Sequence, residues 1–195
     1  IAFIAFFLWS KFPVVSLCLF LLISIFHFSE DWKSEISITQ RLLIATSIIS
    51  LTIMFKKTEV ELIFFSLTQS FISSYITIFF YYLSYVLLPF LILIAYLNFK
   101  NKEIFISILT ICFTAMLLNP LMYFLCYFCF YHSIKNFKES KKLLFPDSKK
   151  NFKKVLLINL LLTIIFSIII FKLFLTGSIE DKLLKIVFIG LASLT

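Results

Sequence analysis

The chain has 195 residues, of which 62% are hydrophobic and only 14% are charged. About a quarter of the residues in a soluble domain are charged, so this composition excludes a soluble globular domain. The 18 lysines and arginines outnumber the 10 acidic residues, but basic residues of membrane proteins gather in cytoplasmic loops, so we expect no nucleic-acid partner.

The long apolar runs predict an integral membrane protein. Most reach the roughly 17 to 25 residues that cross a bilayer as a helix, and none alternates as a barrel strand does. We therefore predict an all-α fold, a polytopic transmembrane helical bundle with about six complete spans, in which residues 1–195 form a single domain. Because Ile1 and Thr195 lie within apolar runs, we expect partial spans at both ends and a chain incomplete at both termini.

The first complete spans are predicted at residues 13–28 and 39–55, with an acidic turn between them. Between Glu61 and Lys100 there is no charged residue, which is too long for one crossing at about 1.5 Å per residue. Two spans must therefore share this stretch. We place the turn near Tyr81-Tyr82, because tyrosine hydroxyls favour the membrane interface, and expect Pro89 to kink the second span.

A longer span is predicted at residues 104–131, where Pro120 offers a place to bend. The loop at residues 133–154 contains eight lysines and only two acidic residues, which is the strongest positive-inside signal in the chain. Two further spans are predicted at residues 155–175 and 183–195, the last incomplete.

The predicted spans decide whether the two histidines of the chain, His27 and His132, can meet. Four passages separate them, and an even number returns the chain to the same membrane face. The basic loop after His132 makes that face cytoplasmic. With a single crossing between Glu61 and Lys100, the histidines would lie on opposite faces.

Both histidines follow apolar, aromatic runs, and they are the candidate metal ligands. Neutral imidazole is a good ligand for iron, copper or zinc, although a lone histidine at a helix end is more often half solvated at the interface. Glu30 and Asp31 follow His27 closely and either fix its tautomer, bind the metal or form a solvated acidic turn. Asn136 lies one helical turn after His132 and either hydrogen-bonds a ligand or has no role. Lys135 is interpreted as a loop charge.

Other side chains near His132 have two readings. Five aromatic residues on the helix that leads to His132 either line a tunnel for an apolar substrate or pack against other helices. They lie at helical spacing and are Tyr123, Phe124, Tyr127, Phe128 and Tyr131. The four cysteines lie in apolar runs and are expected to act as small hydrophobic residues without disulfides, although two of them have CxxC spacing: Cys18, Cys112, Cys126 and Cys129.

Two motifs carry a resemblance to a known family: His27-Phe-Ser-Glu-Asp-Trp32 and Tyr127-Phe-Cys-Phe-Tyr-His132-Ser-Ile-Lys135, with Pro120 upstream. They resemble the Brp/Blh family of bacterial and archaeal β-carotene dioxygenases, over about residues 20–195. The resemblance implies a polytopic enzyme that cleaves β-carotene at its central double bond with O2 to give two retinals, using non-haem iron held by histidines.

Carried over to this chain, the resemblance makes His27 and His132 ligands of Fe²⁺, with no catalytic residue beyond the metal ligands. Ser29 replaces the usual glycine of the first motif. Asn136 stands where the family generally has a second histidine, and amides are poor iron ligands. An early histidine is expected ahead of Ile1, so only two of four expected ligands are visible.

The partners implied by the resemblance are β-carotene and O2 as substrates and the lipid bilayer as surroundings. The expected location is the cell inner (plasma) membrane, with the histidines near the cytoplasmic face; the oligomeric state stays open. The main alternative is a polytopic transporter or assembly protein without catalytic activity. A membrane desaturase is disfavoured, because it needs more histidine clusters than two residues supply.

Overall fold

The computed structural model describes residues 2–137 and residue 157, and over this part of the chain it is helical, with no strand. The all-α prediction is confirmed. A 3₁₀ turn (Glu30–Trp32) follows the second α-helix, and a π-helical turn (Tyr127–His132) follows the last. The α-helices are α1 (Ala2–Lys11), α2 (Pro13–Ser29), α3 (Ile38–Phe55), α4 (Lys57–Thr68), α5 (Ser73–Leu97), α6 (Lys102–Leu117) and α7 (Pro120–Cys126).

Three helical stretches of the described part are long and apolar enough to cross a membrane: Pro13–Trp32, Ile38–Phe55 and Ser73–Leu97. The first two match the predicted spans, but about six complete spans are not confirmed. The spans predicted at residues 155–175 and 183–195, and the basic loop beyond residue 137, lie outside the described residues.

The turn between α4 and α5 lies at residues 69–72, so its prediction at Tyr81-Tyr82 was wrong. Gln69 ends α4 in the left-handed conformation, with φ of 52°. Side chains of this polar stretch hydrogen-bond the nearby backbone: the Thr68 hydroxyl, for example, accepts from the Ser70 amide at 3.3 Å. Such local bonds compete with helical ones and end the helix. The Tyr81 hydroxyl instead bonds Tyr85 within α5, at 2.8 Å.

Residues 104–131 form a helical hairpin, so the single bent span predicted there was also wrong. The hydroxyls of Ser107 and Tyr131 lie 3.2 Å apart, although 24 residues separate them. A continuous helix would hold residues so spaced about 36 Å apart. The chain therefore reverses between α6 and α7. Asn119 caps α7 by accepting from the Met122 amide at 2.9 Å, and Pro120 occupies the first helical position.

Helix α3 lies at the centre of the bundle and packs against α2, α5 and α6. Its inward face is almost fully buried, including Ile44, Ile48 and Leu51. Large apolar side chains also cover much of the outer surface, such as Phe79 and Phe90 on α5. An apolar exterior around an apolar core is what a helical bundle needs in lipid.

Helix α3 starts at the end of the bundle where α2 finishes, and it runs away from that end. Helix α5 returns to it, α6 leads away from it again, and α7 returns to it. At the start of α3, Arg41 contacts Glu30 at 3.1 Å. The Ser107–Tyr131 bond places the start of α6 beside the end of the π-helical turn. His27 and His132 therefore lie at the same end of the bundle, as predicted, although α4 has only 12 residues and is not one of the crossings.

Candidate functional site

His27 and His132 face each other across the bundle, although 105 positions separate them in the sequence. Their Nε2 atoms are 3.0 Å apart, and their ring centroids are separated by 4.7 Å. His132 is buried, and His27 is half-buried near the end of α2. The tertiary structure thus brings the two predicted ligand residues into direct contact.

A local widening of the helix positions His132. The backbone amide and the hydroxyl of Ser133 both donate to the Phe128 carbonyl, five residues earlier, and the hydroxyl contact is 2.7 Å. π-Helical turns of this kind are rare and are often found at functional sites. The rings of Phe124 and Phe128 stack at a centroid distance of 6.0 Å, and the Phe128 ring lies tilted against His132 at 5.4 Å.

Asp31 fixes the orientation of His132. The 3₁₀ turn after α2 places the Asp31 side chain in a fully buried position. Its two oxygens lie 2.9 and 3.0 Å from Nδ1 of His132, and the Tyr127 hydroxyl donates to the same carboxylate at 2.6 Å. Because a carboxylate is an acceptor, Nδ1 of His132 carries a proton, so that in the neutral ring the lone pair lies on Nε2 and that nitrogen can bind a metal.

The Asn136 amide also approaches His132. Its nitrogen lies 3.0 Å from Nε2, as does Nε2 of His27. A single lone pair on Nε2 of His132 cannot accept well from two donors at once. One hydrogen bond therefore does not explain why both side chains approach this nitrogen. Rotation of the amide by 180° would turn its oxygen toward the same point, since nitrogen and oxygen are assigned from their hydrogen bonds.

The two imidazoles fit a shared metal ion. Nitrogens about 2.1 Å from an ion lie about 3.0 Å apart when the angle between them at the ion is a right angle. His27 Nε2 and His132 Nε2 have this separation, which is also that of an ordinary hydrogen bond. Over residues 2–137, no three His, Cys, Asp or Glu side chains are grouped to hold a metal. The described donor set is therefore two imidazoles, one supporting carboxylate and one amide.

Lys135 is not a simple loop charge, as the sequence had indicated. Its ammonium group forms an ion pair with Glu35 and lies 5.8 Å from the ring centres of both Trp32 and Tyr131. Burial alone would lower the pKa of Lys135, but the Glu35 carboxylate and the other nearby acidic groups raise that pKa above its ordinary value. The ion pair ties the residues that follow the π-helical turn to the loop after α2.

The two neighbouring carboxylates have different roles. Glu30 is exposed and forms ion pairs with Lys33 at 2.7 Å and Arg41 at 3.1 Å, so it belongs to a solvated turn. Asp31 bonds His132, whereas the sequence had placed its possible contact at His27. Sequence reasoning missed the Tyr127–Asp31 bond, and no local signal reports a contact between residues 96 positions apart.

Of the aromatic candidates, Tyr123 and Phe124 line an apolar cavity, whereas Tyr131 stacks on Trp32 at 5.5 Å and Tyr127 bonds Asp31. Tyr127 and Tyr131 therefore pack within the bundle, whereas a tunnel for an apolar substrate stays a prediction. Cys18, Cys112 and Cys126 are free thiols, and the side chain at position 129, the other member of the CxxC pair, lies outside the described residues.

The family model described as beta-carotene 15,15'-dioxygenase matches residues 1–195. No curated protein and no solved structure matches the chain.

Proposed function

We propose, since the chain belongs to the β-carotene 15,15'-dioxygenase family, that it is a non-haem iron oxygenase acting on β-carotene. The central double bond is cleaved with one O2, and each of its two carbons becomes an aldehyde, so that one carotenoid gives two retinals. The observation that carries the iron proposal is the 3.0 Å approach of His27 and His132, with Asp31 fixing the tautomer of the second ring.

In this proposal His27 and His132 hold Fe²⁺ through Nε2. Iron with open coordination positions supplies the activation of O2. Asp31 keeps the Nδ1 proton of His132 in place, and the Tyr127 hydroxyl donates to the same carboxylate. The protein's own contribution is to hold both rings in position and to keep the lone pair of His132 directed at the site.

The apolar surroundings suit the substrate. β-Carotene dissolves in the bilayer, so a bundle with an apolar outer surface can take it up sideways between helices. Phe28 is buried and packs with its ring edge against His132, at a centroid distance of 5.4 Å. Aromatic walls of this kind exclude water and provide a polarisable contact for a polyene.

We also propose that the protein lies in the cell inner membrane, with the histidine end at the cytoplasmic face. Three apolar helices of sufficient length support a membrane location. The orientation is inferred from the lysine-rich sequence that follows His132.

The test is expression of the chain, with its natural flanking sequence, in bacteria that make β-carotene, followed by chromatography of retinal. His27→Ala and His132→Ala are each expected to lower retinal by about 100-fold or more and to lower the iron that co-purifies with the protein. Asn101→Ala, at an exposed position, is the control and should match the parent.

Retinal formation at the parental level in both histidine variants would refute the iron site. A parent protein that folds, binds carotenoid and forms no retinal would refute the oxygenase and favour the transport or assembly alternative. The iron that co-purifies with each protein distinguishes these two outcomes, because only the first outcome concerns the histidine ligands.

A further inference from the structure

A pocket of about 390 Å³ lies between the last turns of α2 and the first turns of α3, and it opens to the outside of the bundle. Both helices belong to candidate membrane spans, of which the first ends at Trp32 and the second begins at Ile38. The pocket therefore lies where these two spans reach the membrane surface. His27 forms part of its wall, whereas His132 is buried.

The wall that α2 contributes changes from apolar to polar toward the end of the helix. Ile23 and Phe26 line the inner part and are exposed, and Ser29 and Glu30 line the outer part. At about 1.5 Å per residue, Ile23 lies roughly 10 Å deeper in the bundle than Glu30. A ligand that fills the pocket therefore needs a hydrocarbon part and a polar part, which is how a phospholipid is built.

The outer part of the pocket has one positive charge in excess. The Glu30 carboxylate contacts two cations, Lys33 at 2.7 Å and Arg41 at 3.1 Å, and it neutralises only one of them. The Lys33 side chain is 70% exposed, whereas the Arg41 side chain is 14% exposed and lines the pocket. Charges that are partly removed from water interact more strongly, so Arg41 is the cation that an anionic ligand in the pocket would meet.

Arg41 suits a phosphate group better than a lysine would. It is the only arginine of the chain, which also has 17 lysines. A guanidinium group has five N–H donors in a planar fork and binds two phosphate oxygens at once. The contact with Glu30 is made through Nη1, so the other two nitrogens of the fork can donate to a phosphate.

We propose that this pocket binds an anionic phospholipid, with the phosphate on Arg41 and an acyl chain along Ile23 and Phe26. Basic pockets between membrane helices recognise anionic headgroups through the same combination of charge and apolar wall. The bound lipid covers the side of His27 that faces the pocket, and it keeps water from the histidine pair on that side. The inference rests on the proposed membrane location and not on the proposed oxygenase activity.

The test compares two lipids that differ only in headgroup charge. The purified protein, with its natural flanking sequence, is titrated in detergent with phosphatidylglycerol or with phosphatidylcholine of the same acyl chains, and bound lipid is counted by native mass spectrometry. Arg41→Gln removes the charge, Arg41→Lys keeps the charge without the fork, and Glu30→Gln removes the competing carboxylate. Lys102→Gln and Glu103→Gln are the matched controls, because both side chains are exposed at the start of α6, at the same end of the bundle.

The parent is expected to bind phosphatidylglycerol about fivefold or more tightly than phosphatidylcholine, which is what one basic residue near a headgroup contributes. Arg41→Gln should lose this preference, Arg41→Lys should keep part of it, and Glu30→Gln should strengthen it. Lys102→Gln and Glu103→Gln should match the parent.

A parent without the preference, or equal effects of Arg41→Gln and Lys102→Gln, would overturn the proposal. If Arg41→Gln does not fold, Glu30→Gln decides, because weaker or unchanged binding of phosphatidylglycerol by this variant would also overturn it.

Glycerol phosphate distinguishes a lipid site from a site for free phosphate compounds, because it carries the phosphate without acyl chains. It is expected to displace phosphatidylglycerol only at about 100-fold higher concentration or more, since it cannot use the apolar wall. Displacement at equal concentration would overturn the lipid proposal.

The membrane location and the lipid site fail in different ways. Recovery of the parent in the soluble fraction of the cells would refute the membrane location. Recovery in the membrane fraction, without a preference for phosphatidylglycerol, would refute the lipid site alone.

Discussion

The two ring nitrogens of His132 have different partners. Nδ1 donates to the buried Asp31 carboxylate, and Nε2 faces both His27 and Asn136. A buried carboxylate is costly unless donors surround it, and here the donors are His132 and the Tyr127 hydroxyl. The arrangement therefore directs one fixed lone pair toward the point where His27 and Asn136 also converge.

Asp31→Asn tests this positioning role. An amide in place of the carboxylate accepts fewer hydrogen bonds and removes the fixed tautomer of His132, so iron affinity should fall by about 10- to 100-fold. Glu30→Gln is the matched control, because Glu30 is exposed and contacts only Lys33 and Arg41 among the described ion pairs. Iron retained by the purified proteins is measured after gel filtration. Equal retention by Asp31→Asn and Glu30→Gln would contradict the role of Asp31.

Asn136→His tests whether the amide weakens the site. The Asn136 side chain already lies 3.0 Å from Nε2 of His132, so an imidazole at this position brings a third nitrogen to the same point. Loss of iron to a chelator should become about tenfold slower in Asn136→His, while Asn136→Ala should stay close to the parent. Iron loss at the parental rate in both variants would show that position 136 does not contribute to binding.

At the residue scale, the sequence could identify His27 and His132 because the chain has no other histidine. It could not assign their surroundings. Asp31 lies four residues after His27, so a continuous helix would place the two side chains on one face. The 3₁₀ turn instead directs Asp31 to His132. Lys135 reads as a loop charge because its partner, Glu35, is 100 positions away.

Among the helices, those with polar or charged flanks were predicted well. Spans at residues 13–28 and 39–55 agree with α2 and α3, because charged turns limit these apolar runs. The uncharged stretch up to Lys100 was divided at the wrong place, because the turn lies at the polar residues Thr68-Gln69-Ser70 and the two tyrosines lie within α5. Hydrogen-bonding capacity, and not charge, decided where this helix ended.

The cap of α7 gives a stability test at the scale of one helix. Asn119 and Asn101 are both exposed and both precede a helix, but of the two only Asn119 accepts a hydrogen bond from a helix amide through its side chain. Asn119→Ala should therefore lower the free energy of unfolding by about 1 kcal/mol, and Asn101→Ala by clearly less. Thermal unfolding in detergent measures both. Equal losses would show that the Asn119 cap does not stabilise the hairpin.

For the whole molecule, the predicted meeting of the histidines was right although two of the predicted crossings were wrong. The predicted turn at Tyr81-Tyr82 added one membrane crossing, which α4 is too short to make. The single span predicted at residues 104–131 left one crossing out, because the chain reverses between α6 and α7. The two errors cancel in the parity of the path. Hydropathy counts apolar length, so it cannot tell one bent helix from two antiparallel ones.

Electron–electron distance measurement tests this hairpin. Spin labels are placed at Ile106 and Phe130, which are both exposed and 24 positions apart, after replacement of the native cysteines by serine. A continuous helix would separate the labelled backbones by about 36 Å. Helices packed about 8 to 10 Å apart, with label lengths added, should give a distance below about 25 Å. A distribution centred near 36 Å would show that residues 104–131 form one continuous helix. His132 would then lie away from His27, and the shared iron site would be refuted.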